Sequence, residues 1–145
     1  MVREAEGKDA AELFAIITES LGYTTSEKIV RENIGLLSSS AHTLTLVYED
    51  DASGRVQGFL HALRYDTLHR MGGWDVVSLA VSPDAQGRGV GKGLLCAFEQ
   101  RVVDLGGSYV RLNSRVERTD AHGFYEHLGY TCDKQQKRFI KQLTA

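Results

Sequence analysis

Absences narrow the field first. No run of apolar residues approaches the roughly 20 needed to span a membrane. Neither sign of charge dominates: 17 Lys and Arg stand against 19 Asp and Glu, with the basic residues scattered among the acidic ones. That balance leaves no electrostatic footprint for nucleic acid. Cysteine is scarce. The two present, Cys96 and Cys132, have no C-x-x-C spacing, so both read as reduced thiols in a cytoplasm, with Cys96 packed in a core. The five histidines show no ligand spacing either, so no metal is expected. Proline occurs once, at Pro83, and there are no repeats, low-complexity tracts or linkers. The 145 residues therefore read as a single domain, 1–145, long enough to bury a substantial core. The charged, helix-like N-terminus MVREAEGKDAAE excludes an ordinary secretory signal.

What is present is organised around Trp74 to Gly107. Val76, Val77, Leu79, Ala80 and Val81 have few polar interruptions, which predicts a strand buried on both faces, stopped by Pro83. A glycine-rich loop follows, Gln86-Gly87-Arg88-Gly89-Val90-Gly91. Leu94, Leu95, Phe98, Val102 and Leu105 then recur at helical spacing, and Gly106-Gly107 supplies the C-terminal cap. Glycines allow positive φ and close approach of backbone to a ligand. Successive N–H groups at a helix N-terminus favour an anion, and Arg88 and Lys92 add positive charge beside them. The guest such a loop suits is a phosphate.

Two familiar phosphate loops do not fit. The dinucleotide pattern G-x-G-x-x-G meets Lys92 or Leu94 at its third glycine, and the next strand, Tyr109 to Asn113, lacks an acidic residue for a ribose. The P-loop pattern meets Gln86 at its first glycine and Gly93 after its lysine. The pattern Q/R-x-x-G-x-G/A does fit, through Gln86, Gly89 and Gly91.

The rest of the chain predicts a mixed α/β sheet with helices on both faces. Asp9 and Glu12 read as a capping box for a helix carrying Leu13, Ile16, Ile17 and Leu21, closed by Gly22. The joint Tyr23 to Ser26 offers N-cap residues for a second helix with Ile29, Val30, Ile34 and Leu37 on one side. Thr43–Glu49 and Arg55–Tyr65 alternate as a hairpin about Asp50–Gly54, and Gly58 suggests a bulge or a close approach. The core strand and Tyr109–Asn113 flank the central helix as a parallel βαβ unit. A short helix begins at Arg118 or Thr119 and ends at Gly129. Tyr130–Asp133 and Arg138–Leu143 read as two final strands.

Ala121-His122-Gly123-Phe124-Tyr125 to Leu128-Gly129-Tyr130 completes an A-x-x-x-Y-x-x-x-G-Y/F stretch. With the Gln86 loop it resembles the GNAT superfamily of N-acetyltransferases, whose two motifs stand in this order. The resemblance implies that fold, with splayed central parallel strands, and acetyl-CoA as co-substrate without a metal. It implies that the loop Gln86, Gly87, Arg88, Gly89, Val90 and Gly91 holds the coenzyme A pyrophosphate, with Lys92 beside it. It implies that the backbone of Leu79, Ala80 and Val81 pairs with the pantetheine arm. It also implies that Tyr125 protonates the departing thiolate, with Phe124 the core member of that pair. Arg118 stands where many members have an Asn that contacts the coenzyme. No Glu stands on the core strand as a base, and Asp75, His61 and His69 are candidates by chemistry alone.

The implied reaction is direct transfer of an acetyl group to a primary amine of a small molecule or peptide. The alternatives are another acyl-CoA or a non-catalytic coenzyme A sensor. By family analogy the Leu21-Gly22-Tyr23 joint, the Asp66–Gly73 loop and the C-terminal strands line the acceptor pocket. Asp66, Asp75, Glu27 and Glu32 are candidates to attract a cationic amine, though surface solvation explains them equally. Neither nucleic acid nor membrane is an expected partner, and the resemblance leaves room for a homodimer through exposed sheet edges.

Overall fold

A computed structural model describes all 145 residues and divides them into two units, Met1–Asn113 and Ser114–Ala145. The first unit is built on a five-stranded sheet in the order β1-β2-β3-β4-β5. Its strands are β1 (Val2–Glu4), β2 (Thr43–Glu49), β3 (Val56–Tyr65), β4 (Gly73–Val81) and β5 (Tyr109–Leu112). The first four are antiparallel neighbours, and β5 joins β4 in parallel through the crossover helix α3 (Val90–Asp104). Helices α1 (Ala10–Ile16) and α2 (Glu27–Ser38) precede β2.

Alternation along the strands divides the core between two faces. Val47, Phe59 and Ala80 pack with Ala10, Leu13, Ile16 and Val30 of α1 and α2. Residues of opposite parity meet α3, where the Trp74 and Phe98 rings lie edge to face with centroids 6.1 Å apart. Phe98, Leu94 and Leu95 are fully buried, and truncating such a phenylalanine to alanine costs about 3–5 kcal/mol. Gly58 is required for close approach, since a Cβ there would stand 2.8 Å from the Ala80 carbonyl and 2.9 Å from Val90 Cγ1.

Several sequence expectations give way. Val2–Glu4 is a strand paired with β2 rather than part of a helix. Its Arg3 bridges Asp9 at 2.9 Å and Glu49 at 3.0 Å. Asp9 takes this role together with the Glu6 amide (2.8 Å), while Glu12 accepts from the Val56 amide (2.7 Å), so the two do not form a capping box. Cys96 is exposed, because the buried stripe of α3 runs through Val90, Leu94, Leu95, Phe98 and Val102 and leaves position 96 outside it. Leu105 is exposed as well. Ser26 does cap α2, its hydroxyl accepting from the Ile29 amide at 3.2 Å.

In the second unit α4 (Thr119–His127) ends at Gly129, whose φ is 95°. Neither Tyr130–Asp133 nor Arg138–Leu143 forms a strand, and Phe139, Ile140 and Leu143 are exposed. A strand forms only where its N–H and C=O groups meet a partner ladder, and Arg138-Phe139-Ile140-Lys141-Gln142-Leu143 does not alternate cleanly enough to bury one face. No helix of the chain is long and apolar enough to cross a membrane.

Candidate active site

The candidate site lies where the ladder of β4 fails. β4 and β5 are in register at Gly73↔Tyr109, Trp74↔Val110, Asp75↔Arg111 and Val76↔Leu112, and there β5 ends. β4 runs on to Val81 with only β3 beside it, so the parallel pair forks after Val76. On the β3 side the register also slips. His61 pairs with Ser78 but Ala62 with Val76, which leaves Val77 as the extra residue of a bulge. Val77 is 46% exposed, so β4 is not buried on both faces as its composition suggested. Leu79 and Val81 are half-buried and Ala80 is buried. The Ser20 hydroxyl closes the far end by donating to the Val81 carbonyl at 2.8 Å.

Beyond β4 a short turn, Pro83–Ala85, leads to the glycine loop. Gly87 and Gly89 have φ of 78° and 82°, and a Cβ built on either meets nothing within 4 Å. The glycines are thus needed for backbone conformation, and the loop is left open above them. Gly89 is the N-cap of α3, and the Gly93 amide makes its bond to the Gly89 carbonyl (2.9 Å). The amides of Val90, Gly91 and Lys92 precede that first intrahelical bond, at the positive end of a 15-residue helix. Gln86, Arg88 and Lys92 are exposed around them. An open, amide-rich, cationic cradle fits a pyrophosphate.

At the crotch of the fork stands Asp75. Its Oδ1 is buried without a hydrogen-bond partner, and Arg111 Nε is 3.9 Å away, beyond hydrogen-bond reach. Burial pushes this carboxyl above its ordinary range, and the charge of Arg111 only partly offsets that. On the same face His61 Nδ1 meets Thr45 Oγ1 at 2.7 Å, and burial lowers its pKa, keeping the ring neutral. His69 is exposed in the loop between β3 and β4. The other acidic candidates are engaged locally. Asp66 accepts from the Gly72 amide (2.9 Å) and pairs with Arg64, while Glu27 and Glu32 pair with Arg31 and Lys28 one helical turn away. Asp75 alone among them carries a buried oxygen that is not hydrogen-bonded. Tyr23 is exposed beside Gly22, the left-handed cap of the first helix.

In the second unit Tyr125 is half-buried on α4. Its ring lies edge to face with Phe124 (5.2 Å) and Tyr130 (6.1 Å). Burial raises the phenol above its ordinary pKa against the opposing charge of Arg118, so it stays protonated at neutral pH. Phe124 is half-buried like its neighbour, and α4 contributes no buried residue. Arg118 is the exposed N-cap residue of that helix.

Sequence reasoning missed Arg111, Tyr65 and Arg70, although the alternation of Tyr109 and Arg111 put both on one face of β5. A cleft of about 570 Å³ opens by β1 at the other edge of the sheet and is lined by none of these residues.

Comparison with known proteins places the chain in a family. Residues 41–132 match the acetyltransferase (GNAT) domain family, and the chain belongs to that family. Over 98% of its length it is 26% identical to an aminoalkylphosphonate N-acetyltransferase of Salmonella typhimurium, covering 90% of that protein. Two solved structures share the fold. A transcriptional regulator from Bacillus halodurans superposes with a TM-score of 0.86 at 17% identity, over 97% of this chain and 99% of that one. AAC(6')-Iy in complex with the bisubstrate analogue CoA-S-monomethyl-acetylneamine gives 0.83 at 16% identity, over 99% and 98%.

Proposed function

We propose that this GNAT acetyltransferase moves an acetyl group from acetyl-CoA to a primary amine of a small molecule or peptide by direct transfer. The observation that carries the reading is the fork of β4 and β5, which has the glycine cradle beyond the end of β4 and a buried carboxylate oxygen at its crotch. Family membership supports the donor, as does the coenzyme A analogue held by a protein of the same fold. The Salmonella relative supports a small-molecule acceptor.

Acetyl-CoA supplies the activated acyl thioester, and the chain supplies the rest. The amides of Val90, Gly91 and Lys92, with the Arg88 and Lys92 side chains and the Gln86–Gly89 backbone, hold the pyrophosphate at the helix N-terminus. The β4 backbone over Leu79, Ala80 and Val81, freed on one side by the fork, offers peptide groups for an extended arm to pair with. An N–H of the same stretch polarises the acyl carbonyl. Asp75 accepts a proton from the acceptor ammonium, a task suited to a carboxylate made more basic by burial. The Tyr125 phenol gives its proton to the departing sulfur, and Arg118 contacts the coenzyme. His61 and His69 are not assigned a proton-transfer role. The two free thiols fit a cytoplasmic setting, and exposed sheet edges fit a homodimer.

The test is release of free thiol on mixing the protein with acetyl-CoA and a library of amines. Thiol release that depends on the amine supports transfer. Tight binding of acetyl-CoA with no amine-dependent release would leave a coenzyme A sensor in its place.

A further inference from the structure

The face of the sheet that carries Asp75 holds a second group of side chains that acetyl transfer by itself does not require. Tyr65, Gly73 and Tyr109 stand in one row across β3, β4 and β5. Gly73 has no side chain, and the Tyr109 ring leans into the space, so that a Cβ on Gly73 would lie 2.5 Å from Tyr109 Cζ. In the next row on the same face stand Asp75 and Arg111. The Arg111 side chain crosses back over β4, which brings its guanidinium carbon 4.3 Å from the centre of the Tyr65 ring. From the β3–β4 loop Arg70 lays its guanidinium 3.5 Å from the centre of the Tyr109 ring.

Stacking on a ring fixes the plane of a guanidinium without consuming its N–H donors. Each arginine carries five of those donors in a fork that matches two oxygens of one anion. Arg111 has one loose ionic contact, to Asp75 at 3.9 Å, and Arg70 has no carboxylate partner. With Arg111 stacked on Tyr65, Arg70 stacked on Tyr109 and Asp75 the one carboxylate in ionic contact with either, the two rows carry two positive charges against one negative. A polycationic amine meets repulsion there, and an amine attached to a neutral group leaves both forks unmatched. An acceptor with its own negative charge completes the site.

From this arrangement we infer that the acetyl acceptor is a short zwitterion. Its ammonium faces Asp75, and its anionic group, a carboxylate or phosphonate, is clasped by Arg111 and Arg70. The inference rests on the reading of the fork as an acetyl-transfer site and adds the chemical class of the acceptor.

The experiment measures acetyl-CoA-dependent thiol release with 2-aminoethylphosphonate, β-alanine, ethanolamine and spermidine, and calorimetric binding of the same four to the coenzyme A-loaded protein. At least one zwitterion should exceed ethanolamine and spermidine in kcat/KM by roughly 10²-fold, since a site built for paired hydrogen bonds discriminates strongly against partners that leave it unpaired. In Arg111→Gln and Arg70→Gln that ratio should collapse toward unity, chiefly through KM. Arg70→Lys should not restore it, because an ammonium neither stacks nor forks in the same way. Turnover of ethanolamine or spermidine as good as that of both zwitterions overturns the inference and leaves the transferase reading intact. Zwitterion binding without thiol release upholds the anion site and removes the transfer reading. Absence of both binding and release for the zwitterions overturns the inference whatever the other amines do.

Discussion

The glycine cradle can be probed at Gly89 with two isosteric side chains that differ only in charge. The residue adopts φ 82°, and a Cβ there meets no atom within 4 Å. The Cβ of Asn or Asp at this position therefore meets no protein atom, and the left-handed backbone strain costs about 1–2 kcal/mol. For a chain of this size that lowers Tm by roughly 2–8 °C, with the transition still cooperative. Asparagine crowds the space above the loop. Aspartate adds a negative charge where the pyrophosphate would sit, and two like charges about 4 Å apart repel by about 1 kcal/mol when fully hydrated and about 4 kcal/mol at the lower dielectric of a protein surface. Calorimetry should therefore find acetyl-CoA bound between about 5-fold and ~10³-fold more weakly by Gly89→Asp than by Gly89→Asn. The gap should narrow as salt is added. Equal affinities for the two variants at low ionic strength would show that the phosphates bind away from the loop.

Three further perturbations separate the other roles. Tyr125→Phe removes only a hydroxyl from a half-buried ring, so fold and cofactor affinity should survive while kcat falls by about 10²–10⁴; an unchanged kcat would make solvent the proton donor. Burial raises the phenol, so the wild-type rate should fall only above its ordinary pKa of about 10, and this alkaline limb should vanish in the variant. Asp75→Asn should abolish the rising limb of the pH–rate profile, which lies above the usual carboxylate range. The same change should raise Tm at neutral pH, because the native fold disfavours ionised Asp75 and that cost grows as pH climbs from the unfolded to the folded pKa. A fall in Tm would mean that Asp75 is structural. Burial works against ionisation of Asp9 as well, yet hydrogen bonds from Arg3 and the Glu6 amide hold its pKa below the ordinary value, so its contribution is complete above that value and is lost as pH falls through the folded one. Urea melts should show Asp9→Asn weaker by about 3 kcal/mol at pH 7, a deficit that shrinks below about pH 4; a deficit independent of pH would assign it to packing.

The sequence made legible what is decided locally. Gln86, Gly89 and Gly91 form a contiguous pattern, and the positive φ at Gly87 and Gly89 leaves little choice of residue. The stripe of α3 was equally clear in its centre. Position 96 is exposed among apolar neighbours because the helical angle, not local composition, decides burial. The three residues of β1 carry two charges and no alternation long enough to register, and only Arg3 meeting Asp9 and Glu49 shows why the segment is held. The C-terminal segments illustrate the converse. Their β-prone residues suggested strands, but pairing is a property of two segments, and no ladder forms there. Asp75 was visible only as one carboxylate among several. What sets it apart is that Asp66, Glu27 and Glu32 have partners nearby, which follows from geometry that no single segment contains.

The irregularities of β4 belong together. A regular five-stranded ladder would leave no peptide group of this strand for a ligand, and an edge left open over many residues invites pairing with other chains. Here the open stretch is short. It begins after Val76, where β5 ends, and finishes at Val81, whose carbonyl already accepts the Ser20 hydroxyl. The Val77 bulge lies inside that interval, and a bulge locally increases a strand's twist, here where its partner is missing. Trp74, Val76 and Ala80 meanwhile stay buried in the core, which keeps the strand from shifting. One strand thus carries packed side chains, exposed peptide groups and an unsatisfied carboxylate within nine residues. Packing on one face holds rigid what the other face leaves open, and a reacting group positioned by such a strand gains most from being fixed before the substrate arrives.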